Sequence, residues 1–131
     1  MRYPDWPIRL NEYLAEAQKK EFKLGEHDCC TFAAGAVESM TGVDWMPEFR
    51  GHYDDWKSAE DALDEIGYDN LYKTLTKKFG PAVIGQKGRK GDLAFYEGSC
   101  GIVLGRYAIF LGEGGYAYVL LRRLQRAFRV E

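Results

Sequence analysis

Apolar residues recur every three or four positions through roughly the first 80 residues, the period of helices with one buried face. This spacing predicts a first helix over residues 8–22 and a second over residues 28–40, with Asp28 as the N-cap of the second. The second helix is apolar on nearly all sides, which is typical of a helix at the centre of a small domain. Two further helices are predicted at residues 59–66 and 69–79.

The pattern changes after the fourth predicted helix. Short runs rich in β-branched and aromatic residues follow, most of them separated by glycines, which predicts an antiparallel meander of four or five strands. The runs lie at residues 93–96, 100–104, 107–111, 116–121 and 128–130. Because the helices come first and the strands second, and no linker or repeat interrupts them, we predict a single α+β domain over residues 1–131. Its helical N-terminal half should pack on the antiparallel sheet of the C-terminal half.

The composition argues against two functional classes, nucleic-acid-binding proteins and membrane-inserted proteins. The chain has 131 residues, a formal net charge of −2 and an isoelectric point of about 5.7, which gives no strongly basic surface for nucleic acid. No apolar run is long enough for membrane insertion, and no signal peptide is visible, so we expect synthesis in the cytoplasm. Aromatic residues make up 15% of the chain, which fits a packed core plus a contact surface within an assembly.

The cysteines do not predict a disulfide framework or a metal site. There are three, two of them adjacent, and neighbours in sequence do not normally bridge each other. The chain contains neither CxxC nor HExxH, two common metal-ligand spacings. We therefore expect reduced thiols, no metal and no other cofactor.

The stretch from Gly25 to Ala34 carries the clearest chemical signal. Cys29 follows the predicted N-cap Asp28, so its sulfur is expected in the first helical turn, where free N–H groups and the helix dipole favour a thiolate. Cys29 is therefore a candidate nucleophile. The alternative is a small buried residue, because free cysteine is among the most buried residue types. Cys30 lies about 100° further round the helix, so we expect it to pack in the core.

Six short motifs occur in an order and spacing that match one superfamily. They are Trp6-Pro7-x-Arg9-Leu10, Gly25-x-His27-Asp28-Cys29, Thr41-Gly42-x-Asp44, Arg50-Gly51-x-Tyr53, Gly91-Asp92-Leu93-Ala94 and Gly101-Ile102-Val103-x-Gly105. On these motifs the chain resembles the NlpC-type branch of the papain-like cysteine peptidases over nearly its full length. It resembles more closely a family of small phage and prophage tail-tip proteins of that superfamily. The resemblance implies a papain-like fold whose helix-borne cysteine attacks the stem peptides of peptidoglycan.

The chain departs from that family at the catalytic base. The resemblance places the histidine of the enzymes two residues before the glycine of the Gly101-Ile102 strand, and Ser99 stands there. A serine hydroxyl does not titrate near neutral pH and cannot replace an imidazole as general base. The following strand, residues 107–111, offers no polar residue to orient an imidazole. The resemblance therefore supports carrying over a catalytic role for Cys29 alone.

Two histidines remain as weak candidate bases. His27 precedes Cys29 by two residues and could serve if its loop curled back, although a local hydrogen-bonding role is the simpler interpretation. His52 lies in the aromatic connector between the second and third helices and could reach Cys29 only by a tertiary route. The aromatic residues of this connector are expected to pack on the core. Cys100 is expected to point into the core and, if the superfamily geometry holds, to lie near Cys29.

The resemblance implies a structural component of the tail tip of a long-tailed phage or prophage, on a cysteine-peptidase scaffold that is inactive. Such a protein would bind other tail-tip and hub proteins, would be made in the host cytoplasm and would reside in the virion. One alternative is an active cysteine peptidase or amidase that cleaves peptidoglycan during DNA entry. A second alternative is a bacterial module that binds a peptide or an acyl group.

Overall fold

The computed structural model describes residues 1–47, 49, 51, 53–65 and 70–131, and only the backbone of residues 63–65. It is an α+β domain with helices in the N-terminal half and an antiparallel sheet in the C-terminal half, as predicted. The helices are α1 (Trp6–Ala17), α2 (Cys29–Thr41), α3 (Trp56–Glu65) and α4 (Leu71–Phe79). The strands are β1 (Val83–Ile84), β2 (Leu93–Tyr96), β3 (Ser99–Val103), β4 (Tyr107–Gly112), β5 (Gly115–Leu120) and β6 (Arg126–Phe128). Two 3₁₀ turns, Gly85–Lys87 and Leu121–Arg123, precede β2 and β6.

The first helix differs from its predicted range of 8–22. It begins two residues earlier, where Pro7 in the first turn needs no amide partner, and it ends at Ala17. The Ala17 carbonyl receives the Lys20 N–H at 3.2 Å and His27 Nε2 at 3.0 Å. The polar residues 18–21 add no apolar face that would extend the helix. The prediction for residues 18–22 is therefore wrong, because a tertiary contact takes over the last carbonyl.

The second helix confirms its predicted start. Asp28 has an extended backbone, and its carboxylate accepts the Thr31 N–H at 2.9 Å. The Thr31 hydroxyl accepts the Asp28 N–H at 2.7 Å, which completes a capping box. Gly42, in the left-handed region at φ +81°, ends the helix. α3 is described as far as Glu65, and predicted positions 66 and 69 lie outside the described residues. α4 begins after the N-cap Asn70.

The sheet is not the predicted simple meander. Its strand order is β1-β6-β2-β3-β4-β5, so the last strand returns to pair with both β1 and β2. The register aligns Ala94 with Ala127 across β2 and β6, and Phe95 with Cys100 across β2 and β3. β1 was not predicted, because its two residues, Val83–Ile84, are too short for a periodic signal.

The core is built around α2, whose residues Phe32, Ala33, Ala34, Ala36 and Met40 have no exposed surface. α1 packs on one side of this helix, and β3 and β4 pack on it as well. Tyr13 of α1 donates its hydroxyl hydrogen to the Phe32 carbonyl at 2.8 Å. The close approach requires Gly35, because a Cβ there would overlap the Tyr13 ring. These contacts hold the first half of α2 against α1.

A buried carboxylate ties several distant segments together. Asp92, immediately before β2, has 2% of its surface exposed and contacts two guanidinium groups. Arg2 Nη2 lies 3.2 Å from Oδ1, and Arg129 Nη1 lies 2.7 Å from Oδ2. The backbone N–H groups of Arg89 and Val130 donate to the same carboxylate at 3.0 and 3.3 Å. Asp92 thus does more than hold the local turn that precedes β2.

Candidate thiol site at the start of α2

Asp28 organises the segment that carries Cys29. Its carboxylate is buried and accepts the Gly25 N–H at 2.8 Å and the Tyr53 hydroxyl at 2.5 Å, in addition to the bonds from Thr31. Because these donors come from three parts of the chain, the N-terminus of α2 is fixed in both position and direction. Cys29, the first residue of the helix, is therefore held in a fixed position.

Gly25 brings the connector after α2 against this N-terminus. Its φ is +85°, and a Cβ there would overlap the backbone carbonyl oxygen of Tyr53. The Gly51 N–H also donates to the Gly25 carbonyl at 3.0 Å. The contact explains why glycine suits the start of the predicted motif, and it places Tyr53 within reach of Asp28. Burial, followed by the hydrogen bond to Asp28, raises the pKa of Tyr53, which keeps the phenol protonated as a donor.

Both of the other cysteines contact Cys29. The Sγ atoms of Cys29 and Cys30 lie 3.9 Å apart, and the Cys100 thiol lies 3.8 Å from the Cys29 carbonyl oxygen. Ser99, the residue before Cys100, begins β3. Cys29 is half-buried, whereas Cys100 has no exposed surface. The expectation that Cys100 lies near Cys29 is confirmed.

The three thiols divide into one acidic group and two that hold their protons. Hydrogen bonds from the side chains of Cys100 and then Cys30 lower the pKa of Cys29, and burial opposes them. The Cys100 backbone N–H and the Ser99 side chain act in the same direction. The pKa values of Cys30 and Cys100 are raised, because each donates its hydrogen within the cluster and each is desolvated. Cys29 is therefore the sulfur that ionises first.

Ser99 reaches this position through a tight hairpin. Residues Glu97 and Gly98 both have positive φ, at +48° and +79°, and they connect β2 to β3. The Glu97 N–H donates to Gln125 Oε1 at 2.7 Å, which holds the turn against the segment before β6. Ser99 thus begins β3, paired with Tyr96, at a fixed register beside the N-terminus of α2.

The two histidines proposed as bases stand apart from this arrangement. His27 is buried, and its Nε2–H donates to the Ala17 carbonyl at 3.0 Å. Burial is the main cause that lowers its pKa, so the ring is neutral near neutral pH. Among the described hydrogen bonds, His27 contacts the last residue of α1 and not the Cys29 sulfur. His52 lies outside the described residues.

A small apolar cavity adjoins the site on the side of Cys30. It measures about 50 Å³ and is lined by connector and α4 residues, among them Trp45, Phe49, Tyr53 and Leu71. Trp45 and Phe49 are buried, which confirms that part of the aromatic connector packs on the core. The indole N–H of Trp45 is the one buried side-chain group without an acceptor among the described residues. The cavity is well below the ~150 Å³ that admits a benzene ring.

The described part of the chain offers no other type of centre here. Within it, no group of three or more His, Cys, Asp or Glu side chains is arranged to hold a metal ion. None of the helices described has the length and apolar content needed to cross a membrane.

Sequence reasoning identified Cys29, Asp28 and Ser99 but missed the hydrogen bonds that Cys30 and Cys100 make to Cys29. It also missed Tyr53, which is 25 residues from Asp28. The Arg50-Gly51-x-Tyr53 motif was the only signal for that contact. Comparison with curated proteins and with solved structures finds no match. A family described as a domain of unknown function, DUF6950, matches residues 1–130, and the chain belongs to that family.

Proposed function

We propose that this protein is an assembly component of the tail tip of a long-tailed phage or prophage. Its scaffold would be an NlpC-type cysteine-peptidase fold that does not hydrolyse peptide bonds. The observation that carries the proposal is the residue at the position where the resemblance places the catalytic histidine. Ser99 stands there, at the start of β3, and His27 donates to the Ala17 carbonyl instead. The resemblance of the six motifs supplies the link to tail proteins.

Amide hydrolysis needs a proton donor as well as a nucleophile. An attacking thiolate forms a tetrahedral intermediate, which returns to substrate unless the departing amine receives a proton. The Ser99 hydroxyl and the two neighbouring thiols, whose pKa values are raised, hold their protons too tightly for that task near neutral pH. The site therefore retains the nucleophile of a cysteine peptidase without the acid that completes the reaction.

An assembly role requires contact surfaces, and the sheet offers one at its β1 edge. A groove of about 500 Å³ runs between α4 and this edge, with Tyr72 and Phe95 among its walls and Arg123 and Arg126 at its rim. Neither arginine pairs with a carboxylate among the described residues. Tyrosine and arginine are the residue types enriched at protein interfaces. This basic groove suits a tail protein that presents acidic residues.

The lowered pKa of Cys29 favours one second candidate, an active cysteine hydrolase of peptidoglycan with His52 as its base. The two functions differ in one assay. Purified wild-type protein should release no stem peptides from peptidoglycan above the background of Cys29→Ala. Cys29-dependent hydrolysis by the wild type would overturn the proposal in favour of the hydrolase.

A matched variant tests whether the missing proton donor alone explains the absence of hydrolysis. Ser99→His places an imidazole at the position where the hairpin delivers Ser99 to Cys29. Hydrolysis that appears in this variant and disappears in Ser99→His/Cys29→Ala would identify the missing imidazole as the reason for inactivity. Thermal melting of each variant controls for folding.

The assembly function is tested in a phage or prophage that carries the gene. Deletion should yield particles without functional tails, and Cys29→Ala supplied in trans should restore the infectious titre. Arg123→Glu/Arg126→Glu should restore it poorly, by about tenfold or more, because reversed charge repels an acidic partner at a desolvated contact. Normal tails after deletion would contradict the proposal, whatever the hydrolysis assay shows. Lys87→Glu, in the neighbouring 3₁₀ turn, is the control for charge reversal outside the groove.

A further inference from the structure

The cysteines of the thiol site come from two elements that approach each other at one point. Cys29 and Cys30 open α2, and Cys100 is the second residue of β3. The Cys100 thiol donates to the Cys29 carbonyl oxygen at 3.8 Å, and the Cys100 side chain is also the largest cause of the lowered pKa of Cys29. The start of α2 and the start of β3 therefore meet through two cysteines that are 71 residues apart in the chain.

The two sulfurs differ in access to solvent. Cys29 is half-buried, so a small reagent can reach its sulfur, whereas Cys100 has no exposed surface and meets only its neighbours in the protein. A reagent that reacts with Cys29 would therefore leave Cys100 untouched but adjacent to the new bond. That order of exposure is the arrangement of an attacking and a resolving cysteine.

The site favours chemistry in which the leaving group needs no proton. An amine cannot leave an acyl centre without one, but a thiolate leaves a disulfide unaided. We propose that Cys29 and Cys100 form a dithiol that reduces low-molecular-weight disulfides and closes into an intramolecular disulfide between α2 and β3. The proposal is independent of the tail-tip function, because it uses only the contacts of the three cysteines.

The reaction has two steps. The Cys29 thiolate attacks one sulfur of the disulfide RSSR, so that the Cys29–SR bond forms, the S–S bond breaks and RS⁻ leaves. The Cys100 sulfur then attacks Cys29, the Cys29–SR bond breaks and the second RS⁻ takes up the proton of Cys100. The protein dithiol is oxidised by two electrons, and the disulfide is reduced to two thiols.

Cys30 is not the resolving residue, in spite of its 3.9 Å sulfur contact with Cys29. The two are consecutive in the first turn of α2, where side chains point about 100° apart. A bond between them would close a ring across a single peptide unit, which the helical backbone of the capping box does not permit. Cys30 remains a thiol donor to Cys29 within the cluster.

The test uses the purified, reduced full chain with oxidised glutathione as the probe, read by intact mass and by peptide mapping. The wild type should lose two hydrogens, carry no lasting glutathione adduct and show a Cys29–Cys100 cross-link. Cys30→Ser should form the same Cys29–Cys100 cross-link, because Cys30 supplies neither sulfur of that bond. Cys100→Ser should instead retain one glutathione on Cys29, and Cys29→Ser should lose at least tenfold in rate.

Several outcomes would overturn the inference. They are a stable glutathione adduct on the wild type, a cross-link that involves Cys30, or closure of the disulfide that is unaffected by Cys100→Ser. Because a buried serine can disturb packing, Cys100→Ala serves as a second variant, and it should give the same trapped adduct. Circular dichroism of both variants confirms that the trapped adduct belongs to a folded protein.

Discussion

Alkylation of Cys29 by iodoacetamide should proceed at a nearly constant rate from about pH 8.5 down to about pH 5.5. An ordinary thiol, with a pKa of about 8.5, loses about tenfold in rate for each pH unit below that value, because only the thiolate reacts. The pKa of Cys29 is lowered by hydrogen bonds from Cys100 and Cys30, so its thiolate persists as the pH falls. The rate should change by less than about threefold across this range, against several hundredfold for free cysteine.

Variants at the neighbouring cysteine test the cause of this behaviour. Cys29→Ser should remove the fast reaction, which shows that the label is on Cys29. Cys100→Ala should restore part of the pH dependence, because the largest contribution to the lowered pKa is removed. A wild-type rate that falls tenfold per pH unit would contradict the hydrogen-bonded thiolate.

Replacement of Asp92 by alanine should lower the free energy of unfolding by about 3 kcal/mol, because a buried ion pair is broken from one side. Two backbone N–H groups, those of Arg89 and Val130, lose their acceptor in the same change. For a chain of this length the melting midpoint should fall by about 10 °C. Urea and thermal unfolding followed by circular dichroism measure both quantities.

An exposed ion pair supplies the control for Asp92. Asp5 accepts from Arg9 Nε at 2.7 Å, with about half of both side chains exposed to solvent. Asp5→Ala should leave the midpoint almost unchanged, because water replaces the lost contact. Equal decreases in the melting midpoints of the two variants would contradict a larger stabilising contribution from the buried carboxylate of Asp92.

The parts of the fold that the sequence could predict are those determined by neighbours along the chain. Asp28 and Thr31 form their capping box within four residues, so the start of α2 was visible as a local pattern. The end of α1 was not, because it depends on His27 reaching back to the Ala17 carbonyl. The insertion of β6 between β1 and β2 depends on pairing across the sheet, which periodicity does not encode.

The same division applies to the candidate site. The position of Cys29 in the first turn of α2 follows from local signals, and the resemblance pointed to Ser99 and Cys100 as its neighbours. The contributions of Cys100 and Ser99 to the pKa of Cys29 depend on packing of α2 on β3, and the sequence shows no pattern for that packing. The burial of His27 against α1 likewise depends on tertiary structure.

The hydrogen bond between Tyr53 and Asp28 connects the segment between α2 and α3 to the start of α2. Tyr53 belongs to the connector, yet its hydroxyl rests on the carboxylate that caps the helix of Cys29. A molecule that docks on the connector and displaces Tyr53 removes one donor from that cap and alters the electrostatic field at the sulfur. One hydroxyl of the connector is thereby linked, through the capping carboxylate, to the helix terminus that carries Cys29.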